Sequence, residues 1–240
     1  MANQLPYDAT MMQTELERNI SEVDRRIRAA EKASGRATGV VSLLAVSKTK
    51  ASELVRQAHG FGLSAFGENY AQEMVEKAAA LADLPLSWHF IGPIQTNKTA
   101  LIAEVSDWVH SIDRLKVARR LSEQRPGDKA PLNVLVQINT SNEDSKSGVG
   151  PDAAPELMAA INELSGLRLR GLMTIPAATT NQTEQREPFR QLRELMNQLS
   201  DSLPQLDTLS MGMSGDLEAA VSEGANIVRV GTDIFGARYN

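Results

Sequence analysis

The chain has 240 residues, of which 42% are hydrophobic, so it can bury a substantial core as one large domain or two small ones. A net charge of −5, with basic residues scattered among acidic ones, is not typical of a nucleic-acid-binding protein. The absence of cysteine excludes disulfides, thiolate catalysis and cysteine-ligated zinc, and the three widely separated histidines do not predict a metal site.

The first residues predict no signal peptide, and no apolar run is long enough to span a bilayer, so we expect a cytoplasmic protein without membrane contact. The first predicted element is an amphipathic helix within residues 1–35. Its apolar residues recur three or four positions apart, at Leu16, Ile20, Val23 and Ile27. We expect this helical segment to pack as an outer layer on the rest of the chain.

Strand-like and helix-like segments alternate through the rest of the sequence. Eight runs are typical of strands, at residues 42–48, 64–69, 87–92, 107–112, 133–139, 168–175, 207–214 and 226–236. Helix-like segments lie between them, most clearly at 52–59, 71–82, 152–165, 189–203 and 216–224.

This alternation predicts an α/β fold with a parallel sheet covered by helices. Eight strand-helix units fit a closed (β/α)8 TIM barrel, whose usual length is about 250 residues, and an open doubly wound sheet is the alternative. Since the sequence has no linker and no break in composition, we predict a single domain over residues 1–240.

Functional side chains of such a barrel lie where its strands end. The first strand-like run, Leu43 to Val46, is followed directly by Ser47 and Lys48. An ordinary lysine is almost fully protonated at neutral pH, but apolar surroundings lower the pKa of a lysine and free its amine to attack a carbonyl. The alternative interpretation is a lysine that extends from the strand end into water.

The last two strand-like runs indicate an anion site. Arg229 lies among valines on the same strand face as Gly231, and a buried arginine is costly unless it is paired. Ser214 and Gly215 open a helix whose free N–H groups attract an anion, and barrels often hold a phosphate after strands seven and eight. We therefore predict phosphate contacts from these glycines, Ser214 and Thr232, although a plain capped turn is the alternative at 214–216.

An amine, a phosphate cradle and a buried arginine on one rim together predict a site for pyridoxal 5′-phosphate (PLP). Lys48 would hold the aldehyde as a Schiff base, and Arg229 would face the ring nitrogen. Because arginine stays protonated, it donates a hydrogen bond and leaves the pyridine nitrogen without a proton. Such a ring is a weaker electron sink, which argues against transaminase or decarboxylase chemistry.

Seven motifs in one order resemble those of the YggS/PROSC family of pyridoxal phosphate homeostasis proteins. They extend from Leu43 to Arg238 and read AVSKTK, FGENYAQE, WHFIGPIQTNK, NTSNEDSKSGV, LRGLMTIP, LSMGMSGDLEAAV and VRVGTDIFGAR. The resemblance implies the fold-type III barrel of the alanine racemase N-terminal domain, with PLP on Lys48. It also implies a role in holding and delivering PLP, in vitamin B6 balance, and makes apo PLP-dependent enzymes candidate partners.

The resemblance also assigns further residues. By motif match it gives cofactor contacts to Ser214, Arg229, Gly231 and Thr232, and it places Asn69 near the cofactor. One departure is Ala51, where the family usually has proline, and this affects only the shape of the loop after Lys48.

Two motifs have no settled chemistry. Lys146 lies in NEDSKSG, after the fifth strand-like run. Most loop lysines are simply solvated, and the functional hypothesis is a second PLP site whose amine takes the aldehyde during transfer. The motif HFIGPIQTNK places His89 and Lys98 around the end of the third run, as a structural turn or as a rim surface that contacts a partner.

The two functional hypotheses are a carrier without turnover and an amino-acid racemase. A racemase needs two acid/base groups on opposite faces of the α-carbon, and in alanine racemase the second is a tyrosine supplied across the dimer. No tyrosine of this chain is clearly placed for that role, and the sequence ends directly after its eighth run. We therefore expect no C-terminal β domain, a monomer, and no catalytic residues. A class I aldolase fits less well, because its lysine would not need Arg229.

Overall fold

The computed structural model describes residues 5–141 and 147–236 and contains a closed barrel of eight parallel strands in chain order. The strands are β1 (Ser42–Val46), β2 (Ala65–Glu68), β3 (Ser87–Phe90), β4 (Trp108–Ile112), β5 (Leu132–Gln137), β6 (Leu167–Met173), β7 (Thr208–Ser210) and β8 (Ile227–Val230). The pairing of β1 with β8, for example Leu43 with Val228, closes the sheet. The predicted barrel is confirmed, and the open doubly wound sheet is excluded.

A helix precedes the barrel and another follows each strand. These helices are α1 (Leu5–Ala33), α2 (Ser52–Gly60), α3 (Ala71–Ala80), α4 (Thr99–Val105), α5 (Leu115–Glu123), α6 (Ala154–Asn162), α7 (Gln182–Leu199), α8 (Leu217–Ser222) and α9 (Thr232–Phe235). The strands are shorter than the runs predicted from the sequence, because the polar and glycine residues at their ends form the βα loops. In particular, residues 232–235 of the eighth run are helical, and α7 begins before the predicted residue 189.

The barrel interior is apolar except for a small polar set. Consecutive residues of β5, such as Val134, Leu135 and Val136, are fully buried, as expected for a strand covered on both faces. Several strands also carry buried polar residues, among them His89, His110, Ser210 and Arg229. Buried polar groups require hydrogen-bond partners, so this set identifies the part of the interior with a special role.

The N-terminal helix packs on the last two helices. Its predicted apolar residues are buried, and Arg26 on its outer side forms ion pairs with Glu218 of α8 and Asp233 of α9, each at 2.7 Å. Arg26 also donates to the carbonyl oxygen of Ser214 at 2.9 Å. Helix α1 therefore fixes the loop after β7 from outside the barrel.

Across residues 5–141 and 147–236, no helix combines the length and the apolar character that a membrane span requires.

Close strand contact at Gly171 gives a test of the barrel. Gly171 lies on β6 where the register with β5 shifts, and a Cβ atom there would lie 1.9 Å from the carbonyl oxygen of Thr208 on β7. The Gly171→Ala substitution must push β6 and β7 apart, so we expect it to lower the free energy of unfolding by about 2 kcal/mol or more. Urea denaturation of the two proteins measures this difference.

Gly60→Ala is the matched control. A Cβ atom at Gly60, the last residue of α2, would meet nothing within 4 Å. We expect its free energy of unfolding to stay within about 1 kcal/mol of the parent protein. Equal stability of the two variants would contradict the packing seen around Gly171.

Candidate functional site

A cavity of about 290 Å³ opens at the C-terminal ends of the barrel strands. All the described residues that the sequence predicted for the cofactor line it, namely Lys48, Asn69, Ser214, Gly215, Arg229, Gly231 and Thr232. They come from the loops after β1, β2, β7 and β8, from β8 itself and from the first residue of α9. Their role as cofactor contacts stays a prediction, but their convergence on one cavity is observed. Lys146 lies outside the described residues.

The backbone around Lys48 is held by a buried ionic cluster behind the cavity. The ammonium of Lys77, on α3, lies 2.7 Å from the carboxylates of Glu68 and Glu73, and it donates to the carbonyl oxygen of Ser47 at 2.7 Å. The hydroxyl of Ser47 donates to Glu68 at 2.6 Å. Lys77 and Glu68 are both buried, so the residue before Lys48 is fixed by charge-assisted hydrogen bonds.

The residue after Lys48 is held by the same cluster. Thr49 has a φ of 63°, a left-handed conformation that is rare for a β-branched residue. Its backbone N–H donates to the Glu73 carboxylate at 2.5 Å, and this bond offsets part of the strain. Lys48 is therefore anchored on both sides, and its side chain lines the cavity.

Arg229 is a buried cation on the wall of the cavity. It is 3% exposed, and it donates to the hydroxyl of Ser210 and to the carbonyl oxygen of Thr174, each at 2.8 Å. It forms no ion pair with any described residue. Burial lowers the pKa of the guanidinium to about 10, although the charge of Asp216 opposes the shift. A charged group with neutral partners is costly inside a protein, so this position indicates a ligand site.

The loop after β7 offers free donors. The backbone N–H groups of Ser214 and Gly215 donate to no described residue, whereas Asp216 accepts from the N–H of Met213 at 2.6 Å and fixes the turn. A Cβ atom on Gly215 would meet nothing within 4 Å, so the backbone is open to a ligand there. Successive free N–H groups of this kind form concavities that bind anions.

Asn69 contributes an acceptor without a partner. Its Oδ1 atom is buried and makes no hydrogen bond with any described residue. Since a buried polar atom without a partner is unfavourable, the atom is suited to a donor group of a ligand. The cavity therefore combines an amine, a buried cation, free N–H donors and an unsatisfied acceptor.

Comparison with known proteins agrees with this chemistry. A family model described as the alanine racemase N-terminal domain matches residues 16–239. The chain is 59% identical to the pyridoxal phosphate homeostasis protein of Pseudomonas aeruginosa, over 92% of this chain and 94% of that one. It is 49% identical to the protein of the same name from Escherichia coli K12, over 92% and 95% of the two chains.

The chain belongs to the pyridoxal phosphate homeostasis protein family. Among solved structures, PipY of Synechococcus elongatus with PLP bound superposes with a TM-score of 0.78 at 33% identity, covering 89% of this chain and all of that one. The resemblance inferred from the motifs is confirmed, and so is the barrel of the alanine racemase N-terminal domain.

The structure also corrects the interpretation of the motif HFIGPIQTNK. His89 is buried in β3 inside the barrel and does not lie at the rim. Lys98 and Gln95, from the same motif, line a separate cavity of about 240 Å³ that also includes Asn69. The strand ends after Phe90, so alternation along β3 directs His89 inward and leaves the rest of the motif in the loop.

Sequence reasoning missed the residues behind the cavity. Glu68, Glu73 and Lys77 lie within FGENYAQEMVEK, and only the spacing of Glu73 and Lys77 by one helical turn indicated a pair. The sequence does not show that Lys77 is buried. An ion pair on the surface of a helix would not support a neighbouring loop, so the spacing alone did not predict the cluster.

The ionic cluster predicts a specific loss when Glu73 is removed. Glu73→Ala leaves the N–H of Thr49 without its acceptor and takes one of two carboxylates from Lys77. We expect the free energy of unfolding to fall by about 2 kcal/mol, as measured by urea denaturation.

Glu76→Ala is the control on the same helix. Glu76 is exposed, and Gln72, at 3.2 Å, is the only described residue that donates to its carboxylate. We expect a change of less than about 0.5 kcal/mol. If Glu73→Ala were equally mild, the cluster would not support the backbone around Lys48.

Proposed function

We propose that this protein binds PLP in the cavity, with Lys48 as its covalent attachment point, and acts without turnover as a carrier in intracellular PLP homeostasis and cofactor supply. The observation that carries the proposal is the buried Arg229, which has no ion pair in the described chain and shares one cavity with Lys48. The names of the relatives and the PLP bound to PipY support it.

The residues of the cavity fit the groups of PLP. When bound, PLP supplies an aldehyde, a pyridine nitrogen, a phenolic hydroxyl and a phosphate. Lys48 provides the amine for the aldehyde, and the N–H groups of Ser214 and Gly215 suit the phosphate. The unsatisfied Oδ1 of Asn69 suits the hydroxyl as an acceptor. Gly231 and Thr232 complete the predicted phosphate wall.

Arg229 sets the chemistry that the site favours. With a pKa of about 10, the guanidinium of Arg229 stays protonated at neutral pH. It can therefore donate a hydrogen bond to a ring nitrogen but cannot accept one from it. It therefore donates a hydrogen bond and does not protonate the pyridine, which limits the stabilisation of a carbanion. This arrangement favours holding the cofactor over using it.

The second acid/base group of a racemase is also not apparent in the described part of the chain. Tyr70 is 60% exposed and lines the neighbouring cavity, not the one that contains Lys48. Lys50 lines the Lys48 cavity, but its ammonium donates to the carbonyl oxygen of Phe235 at 3.0 Å. A base must reach the proton it removes, so we favour the carrier. The proposal further places this protein in the cytoplasm as a single-domain monomer that supplies apo PLP-dependent enzymes.

The attachment point is tested by the visible spectrum of the protein with PLP, followed by borohydride reduction and peptide mass mapping. We expect a yellow protein with the reduced label on the peptide that contains Lys48. Lys48→Ala should lose the visible band, because the other amine among the described lining residues, Lys50, donates to the carbonyl oxygen of Phe235.

Lys116→Ala is the control for labelling of surface amines. Lys116 is an exposed residue of α5, and its removal should leave the band and the label unchanged. A colourless wild-type protein, or a label found only on surface lysines, would overturn the proposal.

Carrier and racemase are separated by incubation of the PLP-loaded protein with L-alanine in deuterated water. A carrier leaves the α-hydrogen in place, so mass spectrometry should show no deuterium above that of a free-PLP control. Incorporation at the α-carbon above this control, lost in Lys48→Ala, would identify a racemase and would contradict the absence of turnover.

A further inference from the structure

A line of hydrogen bonds crosses the barrel interior and ends at Arg229. The guanidinium donates to the hydroxyl of Ser210 at 2.8 Å, and this hydroxyl lies 2.9 Å from Nδ1 of His110. Nε2 of His110 lies 2.9 Å from Nδ1 of His89, whose Nε2 lies 3.2 Å from the hydroxyl of Ser87. We call these residues the interior chain.

The interior chain passes through the centre of the barrel. His110 is on β4 and Ser210 is on β7, so two strands separate them along the sheet and their contact must cross the interior. His110 and Ser210 are fully buried, and the ring of His89 stacks on that of Trp108 with centroids 5.7 Å apart. The rings are therefore fixed in place, and solvent does not supply alternative partners.

The charge of Arg229 decides which way these bonds point. A guanidinium can only donate, so the Ser210 oxygen accepts from it and its own hydrogen needs another acceptor. Nδ1 of His110 is the only other partner of that hydroxyl among the described residues. This nitrogen must therefore accept, and a neutral His110 then carries its proton on Nε2.

The same reasoning continues to the end of the line. Nε2–H of His110 donates to Nδ1 of His89, so a neutral His89 also carries its proton on Nε2 and donates to Ser87. The opposite direction would leave the Ser210 hydrogen without an acceptor in a buried site, which is unfavourable. Burial lowers the pKa of His89 to about 3 and that of His110 well below its usual range, so both are neutral at pH 7.

We propose that His89, His110 and Ser210 are positioning residues for Arg229. In the interior chain all hydrogen bonds point in one direction, and both histidines are protonated on Nε2. This arrangement orients the guanidinium of Arg229 toward the cavity. A carboxylate partner would neutralise the guanidinium. The neutral side chains of the interior chain instead fix the orientation of the guanidinium, and its positive charge remains to interact with a ligand. The direction of the chain stands independently of the ligand, but the role toward PLP rests on the proposed function.

The direction is tested by nitrogen NMR of the histidine rings in the wild-type protein without PLP at pH 7. The protein has only three histidines, so the spectrum can be assigned with single His→Gln variants. We expect His89 and His110 to show a protonated Nε2 and an unprotonated Nδ1. A protonated Nδ1 on His110 would overturn the proposal.

His59 is an internal reference in the same spectrum. Its Nδ1 lies 2.8 Å from the carbonyl oxygen of Leu63, which can only accept, so this ring should carry a proton on Nδ1. The three rings should therefore fall into two tautomeric classes, with His59 separate from the interior pair.

The positioning role is tested by Ser210→Ala against Ser106→Ala. Both serines are buried, but the hydroxyl of Ser106 donates to the sulfur of Met74, away from the cavity. Ser210→Ala removes a hydrogen bond to a charged group, so we expect PLP to bind about tenfold more weakly in a visible-absorbance titration. Ser106→Ala should bind PLP as tightly as wild type.

Two further readouts separate positioning from a loss of stability. Ser210→Ala frees His110 from its donor, so its ring should show a mixture of tautomers, which should not occur in Ser106→Ala. Urea denaturation establishes that both variants are folded. Equal PLP affinity of the two variants would overturn the positioning role. Failure of the wild type to bind PLP would instead remove the proposed function, and the tautomers would still decide the direction of the interior chain.

Discussion

The structure of the site depends on one buried cation, the guanidinium of Arg229. Its transfer from water into the barrel costs several kcal/mol, and only neutral oxygens accept its two hydrogen bonds inside the protein. Three of its five N–H donors make no hydrogen bond to a described residue, and Arg229 lines the cavity. The free energy of burial is therefore offset only in part within the described residues, and under the proposed function an acceptor on PLP would supply the remainder. Because of this imbalance, the cavity differs from an ordinary barrel mouth.

The opposite wall of the cavity uses charge in a different way. Behind Lys48, the ammonium of Lys77 is matched by two carboxylates, and the resulting cluster holds the strained Thr49 and the carbonyl of Ser47. Here a single ammonium faces two carboxylates, so the cluster fixes the backbone around Lys48 and adds no positive charge. The wall behind Lys48 is therefore held by paired charges, whereas Arg229 on the opposite wall is a buried cation with neutral partners.

The outer helix α1 extends this arrangement to the protein surface. Arg26 joins α8 and α9 through Glu218 and Asp233 and binds the carbonyl oxygen of Ser214. Together with Gln185 of α7, which donates to the carbonyl oxygen of Gly215 at 3.2 Å, this contact fixes the loop that carries the free N–H groups of Ser214 and Gly215. The helix is therefore a structural part of the site and more than a cover for the barrel.

The sequence by itself determined the repeating unit, the number of strands and the strand ends that line the cavity, because alternation and helical periodicity are local properties of the chain. It placed Lys48 and Arg229 on one rim by the same logic, since all parallel strands of a barrel end on one face.

Only the tertiary structure decided which residues lie behind Lys48 and Arg229. The sequence does not show that Lys77, on the predicted helix 71–82, is buried by packing. It placed His89 in the third strand-like run but associated its motif with the rim, whereas the structure buries His89 inside the barrel. His110 and Ser210 are 100 residues apart and meet because barrel closure brings β4 opposite β7. No local pattern encodes that contact, because it is set by the closure of the whole sheet.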